Sequence, residues 1–121
     1  MATTTTISTA ISANSLIGAK VENLKNENLG KIEDLVIEPE DARVSFAILS
    51  FGGFLGMGEK FFAVPLQAMR ASTEDRTFVL DVDKEKLKKA PSFEKDRWPD
   101  MHDRAFGTTV YNYYGYQPYW R

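Results

Sequence analysis

With 121 residues the chain has room for one compact domain and not for two ordinary ones. Its charges nearly cancel, 15 basic against 17 acidic for a formal net charge of -2, which argues against a nucleic-acid binder working through a basic excess. The absence of cysteine excludes disulfides, thiolate metal sites and cysteine nucleophiles, and it fits a reducing cytoplasm.

Residues 1–14 (MATTTTISTAISAN) are rich in Thr, Ser and Ala and lack the basic start and apolar core of a signal peptide. A flexible tail is expected there; Ile7 and Ile11, spaced i, i+4, offer a short docked segment as the alternative. Ile17, Ala19 and Val21 alternate with Gly18, Lys20 and Glu22, the period of a half-buried strand. The polar stretch 23–28 is a turn, and Gly30 opens a second strand that ends before Pro39. Ile32 has one parity in that strand while Leu35 and Ile37 have the other, so a bulge near Glu33 and Asp34 is needed to return both sets to the core face. Residues 39–42 turn the chain into a third strand over 44–51, apolar on both faces and therefore covered on both sides.

A glycine-rich connector follows, with Gly52, Gly53, Gly56 and Gly58 interleaved by Phe54, Leu55 and Met57. It is not a phosphate loop, because no Gly-Lys-Ser/Thr and no helix start follow it. A fourth strand over 59–64 stops at Pro65, residues 66–69 add a short pairing segment, and Phe78, Leu80 and Val82 alternate as a fifth strand. Asp83 is the expected N-cap of a short basic helix over 84–89 that stops near Pro91. Phe106, Val110 and Tyr114 share one face of a second helix, with Gly115 as its C-terminal cap and Gly107 as a flaw in the pattern. The chain ends in an irregular aromatic run. Five to six short strands punctuated by turns predict a mainly β fold: a small, partly open barrel of antiparallel strands with short C-terminal helices.

The ordered set Leu16-Ile17-Gly18, Gly30-Lys31-Ile32-Glu33-Asp34-Leu35, Ala47-Ile48-Leu49-Ser50-Phe51-Gly52-Gly53 and Gly58-Glu59-Lys60 through Ala63-Val64-Pro65 resembles the PRC-barrel domain. That family includes the cytoplasmic domain of the photosynthetic reaction-centre H subunit and the C-terminal barrel of a ribosome-maturation factor. The whole chain is similar to its small stand-alone bacterial members. The resemblance implies a barrel over residues 15–90 used for assembly and protein contact, and a C-terminal extension over 91–121 packing on the barrel or on a partner. It implies no catalytic residues and no cofactor. Electron transfer and ribosome maturation are not expected to carry over, since no membrane helix or second N-terminal domain is read here.

The residues offer few reactive constellations. Glu33 and Asp34 are strand neighbours and point to opposite faces, which makes no dyad unless the bulge re-aims one; one solvated acid and one bonding a nearby turn is the simpler reading. Glu38, Glu40 and Asp41 lack the ligand spacing of a calcium loop. His102 with Asp100 and Asp103 could in principle form a metal triad, but they lie close together in an exposed segment, where solvation is the simpler reading. Lys84, Lys86, Lys88 and Lys89 invite an RNA or acidic-lipid reading, diluted by Glu85 and the neighbouring acids. No catalytic, cofactor-binding or metal residue is therefore expected. The candidate interface is Phe54, Leu55 and Met57 in the connector with Tyr111, Tyr114, Tyr116, Tyr119 and Trp120 in the tail, aromatic side chains being favoured interface anchors. These can cover the chain's own core or another subunit. The expected function is a non-enzymatic protein-interaction module, self-associating and cytoplasmic; the alternatives are a ribosome- or RNA-associated factor and a small-ligand binder.

Overall fold

A computed structural model describes residues 10–52, 59–71 and 77–120. The elements run α1 (Ala13–Leu16), β1 (Lys20–Glu22), β2 (Asn28–Glu38), β3 (Arg43–Gly52), β4 (Glu59–Pro65), a 3-10 turn (Leu66–Ala68), β5 (Met69–Ala71), β6 (Phe78–Leu80), α2 (Lys84–Lys88) and α3 (Arg104–Tyr113). Among the described residues the strands form one six-stranded sheet in the order β4-β3-β2-β1-β6-β5. The two edge strands, β4 and β5, are consecutive in the chain and joined by the short 3-10 turn, so the sheet curls into a partly open barrel.

Most neighbours are antiparallel, as expected, but β1 and β6 run parallel, with Val21 opposite Phe78 and Glu22 opposite Val79. The first strand is also shorter than the alternation predicts. Ser12 accepts a hydrogen bond from the Ser15 backbone N–H and caps α1, which places Leu16 in the core and leaves Ile17 44% exposed. Only then does β1 begin. In the N-terminal segment Ile11 is exposed, and Ile7 lies outside the described residues.

The bulge in β2 is present. Its register against β3 shifts between Ile32 and Asp34, so Ile32 is fully buried and Leu35 packs on the core. A second shift, between Val36 and Ile37, was not foreseen; it turns Ile37 outward, 60% exposed, and brings Glu38 into the protein instead. Gly30 has φ +98, and a Cβ there would lie 2.1 Å from the Ser50 carbonyl oxygen. Glycine is thus required at this close approach of β2 to β3.

Successive residues of a strand face opposite sides, so an apolar run packs two layers at once. In β3, Ala47, Leu49 and Phe51 join the interior with Phe62, Val64, Leu80 and Leu87. Phe46 and Ile48 face the other way and meet Phe61, Ala63, Val110 and Tyr111. The second layer is the outside of the barrel wall, and α3 with the C-terminal segment covers it. The edge of β4 is met by Phe93, which exchanges two backbone hydrogen bonds with Phe61 at 3.0 and 2.9 Å. Phe93, Phe61 and Trp98 then pack ring against ring over that edge.

Asn23 holds the turn between β1 and β2. It is buried, its Oδ1 accepts from the Lys25 and Glu27 backbone N–H groups at 2.9 Å each, and its Nδ2 donates to Glu27 Oε1 and to the Val82 carbonyl. Glu27 Oε1 also accepts from Lys84 N–H at 3.4 Å. Asp83 occupies the N-cap position of α2 but makes no capping bond; its carboxylate lies 3.4 Å from Lys25 Nζ. The borrowed Glu27 carboxylate takes over the role expected of Asp83.

Candidate functional site

The site with the most chemistry is built around α3. Asp103 caps the helix by accepting from Ala105 N–H at 3.0 Å, and Phe106, Val110 and Tyr114 lie on the face turned toward the sheet. At the far end Gly115 has φ +83, its N–H bonds to the Asn112 carbonyl, and Tyr116 N–H bonds to the Tyr111 carbonyl at 2.9 Å. This pair of bonds is a Schellman cap, and it reverses the chain. The tail then returns along α3 until Trp120 lies against Gly107. A Cβ on Gly107 would stand 2.7 Å from the indole Cη2 and Cζ2 atoms, so the flaw in the helical pattern is the slot for the ring.

Two arginines complete the packing. The Arg104 guanidinium stacks over Trp120 at 4.5 Å from the ring centroid, and that of Arg43 over Tyr119 at 4.1 Å. Arg104 also grips Glu38 with two bonds of 3.1 and 3.0 Å, planar fork to planar carboxylate. This bond to Glu38 raises the pKa of Arg104 above its ordinary value. His102 Nδ1 lies 3.6 Å from Glu38 Oε1, with the imidazole mostly in solvent. Tyr111 is 2% exposed and donates to the Ser45 carbonyl at 2.7 Å; burial pushes its phenol up to about 12, and the nearby Tyr119 adds to the shift. Burial likewise raises the phenols of Tyr114 and Tyr119.

The sequence candidates therefore fall in different places. Tyr111 belongs to the interior of the outer layer. Tyr114 and Tyr116 touch both apolar layers, and Tyr119 and Trp120 lie on the outer one, each partly exposed. In this structure the aromatic tail packs on its own barrel. Phe54, Leu55 and Met57 lie outside the described residues. Asp100, His102 and Asp103 do not converge: Asp100 accepts from His102 N–H, Asp103 caps α3, and His102 turns toward Glu38. Glu38 separates from its acidic neighbours Glu40 and Asp41 by entering the protein to meet Arg104. Of the lysines, Lys84 lies over the Phe51 ring, Lys86 over Tyr113, and Lys88 pairs with Glu85.

Arg43, Arg104 and Asn23 were not foreseen. Arg104, Gly107 and Tyr111 follow the i, i+3, i+7 spacing of one helix face, and that is the signal that could have marked Arg104 as part of the tail's seat.

The surface also holds clefts. One of about 280 Å³ lies between the β2–β3 turn and residues 100–102. Another, of about 480 Å³, is bounded by Arg43, Leu66, Tyr111 and Tyr119. Among the described residues no helix is long and apolar enough to cross a membrane, and no cluster of three or more His, Asp or Glu side chains is arranged to hold a metal ion.

A search of curated proteins found no significant match. The sequence model of the PRC-barrel domain matches residues 8–87. That span runs through all six strands of the curled sheet. The chain is a member of the PRC-barrel domain family.

Proposed function

We propose that this protein is a non-enzymatic assembly module that acts in the cytoplasm by holding proteins together, beginning with a second copy of itself. The observation that carries this reading is the C-terminal stretch: Tyr116, Tyr119 and Trp120 are fixed on the barrel wall by a helix cap, two stacked arginines and a glycine slot, yet each stays partly exposed. Rigid, half-buried aromatic side chains lose little entropy on binding and offer large contact area, which is what interface anchors need. The barrel interior, filled by Leu49, Phe62, Leu80 and their neighbours, favours surface contact over an enclosed ligand.

Light scattering on the full chain across the micromolar range tests the proposal. The expected result is a mass above that of the monomer, rising with concentration and lowered by Tyr116→Ser. A monomer at every concentration would remove self-association from the proposal.

A further inference from the structure

The cleft between the β2–β3 turn and residues 100–102 carries a second inference, independent of self-association. Part of its lining is apolar: Val36, Ile37, Pro39 and Met101. Ile37 is 60% exposed and, with Val36, Pro39 and Met101, forms one apolar patch. The fold puts it there actively, through the register shift between Val36 and Ile37 that exchanges it with Glu38. The rest is mostly acidic: Glu38, Glu40 and Asp100 line it, and Arg104 pairs with the buried Glu38. The carboxylates of Glu40 and Asp100 remain outside any ion pair with a described residue. His102 is the basic residue of the lining, and its Nδ1 is directed at Glu38.

We infer that this cleft is a docking site for a basic-apolar peptide segment of another protein: an aliphatic side chain seats against Ile37 and Met101, and a flanking lysine or arginine meets Glu40 and Asp100. The charge of the lining selects this occupant. An acidic segment would face Glu40 and Asp100 without compensation, and a purely basic one would leave the apolar residues uncovered. The volume, about 280 Å³, suits one or two side chains, not a folded domain. No residue of the aromatic tail lines this cleft, and Arg104 bonds to Glu38 and not to Ile37, Glu40 or Asp100, so loss of self-association and loss of peptide binding are separable outcomes.

The test is nuclear magnetic resonance titration of the isotope-labelled full chain with a short synthetic leucine–lysine peptide. Two control peptides accompany it, one with serine in place of leucine and one with glutamate in place of lysine. Saturable shift changes are expected at residues 36–40 and 100–102 with the leucine–lysine peptide alone, and they weaken as salt rises. Ile37→Ser and the Glu40→Lys, Asp100→Lys double variant should each weaken binding by about tenfold or more, the equivalent of about 1.4 kcal/mol. All three positions are exposed, so the melting midpoint should hold for Ile37→Ser and fall only slightly in the double variant, which loses the Asp100 bond to His102 N–H, and so confirm that folding is intact. Absence of shifts at these residues, equal binding of the glutamate peptide, or wild-type affinity in Ile37→Ser would each overturn the inference. So would a dimer that dissociates on Ile37→Ser, since the cleft would then belong to a second copy.

Discussion

Replacing Gly107 by alanine sets two effects of opposite sign against each other. In an unobstructed helix interior alanine is more favourable than glycine by about 1 kcal/mol. Here the new methyl would stand 2.7 Å from Trp120 and 3.5 Å from Phe46 Cζ. The approach to Phe46 is ordinary contact, but the one to Trp120 is too close, so the indole must leave its slot. That displacement forfeits contact with Tyr111, 5.0 Å away between centroids, and the Arg104 stack, an overpacking cost of about 1–3 kcal/mol. Gly107→Ala should therefore be neutral to destabilising by about 2 kcal/mol in the native chain. In a Trp120→Ala background the obstruction is gone, and the same change should stabilise by about 1 kcal/mol. Urea unfolding of the four proteins gives the coupling directly, expected at about 1–3 kcal/mol. If Gly107→Ala stabilises both backgrounds equally, Trp120 does not occupy the slot in solution and the account of the tail fails.

Other outcomes follow from the core and the backbone. Phe62→Ala should cost about 3–5 kcal/mol and Ile48→Ala about 2–5, since both are fully buried, on opposite sides of the sheet; unchanged unfolding midpoints would mean those layers are wrongly assigned. Gly30→Ala combines a positive φ with a collision against the Ser50 carbonyl, so a loss of about 2–4 kcal/mol is expected, and a fully stable variant would contradict the close approach of β2 and β3. Stability should also fall at high pH. Tyr111 titrates near 12 in the folded protein against 10.0 when free, so the folded state holds the proton more tightly. Its contribution is complete below pH 10 and disappears as the pH rises toward 12. Tyr111→Phe should flatten that part of a denaturation-versus-pH curve; an unchanged curve would show that Tyr111 is not buried as described.

Much of the wall was legible because strand periodicity is local. The double-sided apolar run in β3 demands two layers whatever the rest of the chain does, and mismatched parity in β2 demands a bulge. The cap at Gly115 could be read for the same reason, since a helix end needs a residue at positive φ. What escaped depends on contacts between distant residues. The parallel pairing of β1 and β6 is invisible in either strand alone. Ile37 and Glu38 exchanged places because Arg104, 66 residues along the chain from Glu38, supplies a partner that makes burial of the carboxylate tolerable. Asp83 had the right position for a cap, yet Glu27 from another turn makes the bond. The two arginines over Tyr119 and Trp120 were equally hidden, because nothing along the sequence tells a stacked guanidinium from a solvated one.

The most direct measurement is the solution mass of the full chain by light scattering as a function of concentration, beside the Tyr116→Ser variant. An assembly module that uses its aromatic stretch gives a mass above that of the monomer that falls in the variant. A mass fixed at the 13.7 kDa of one chain in both proteins would contradict it.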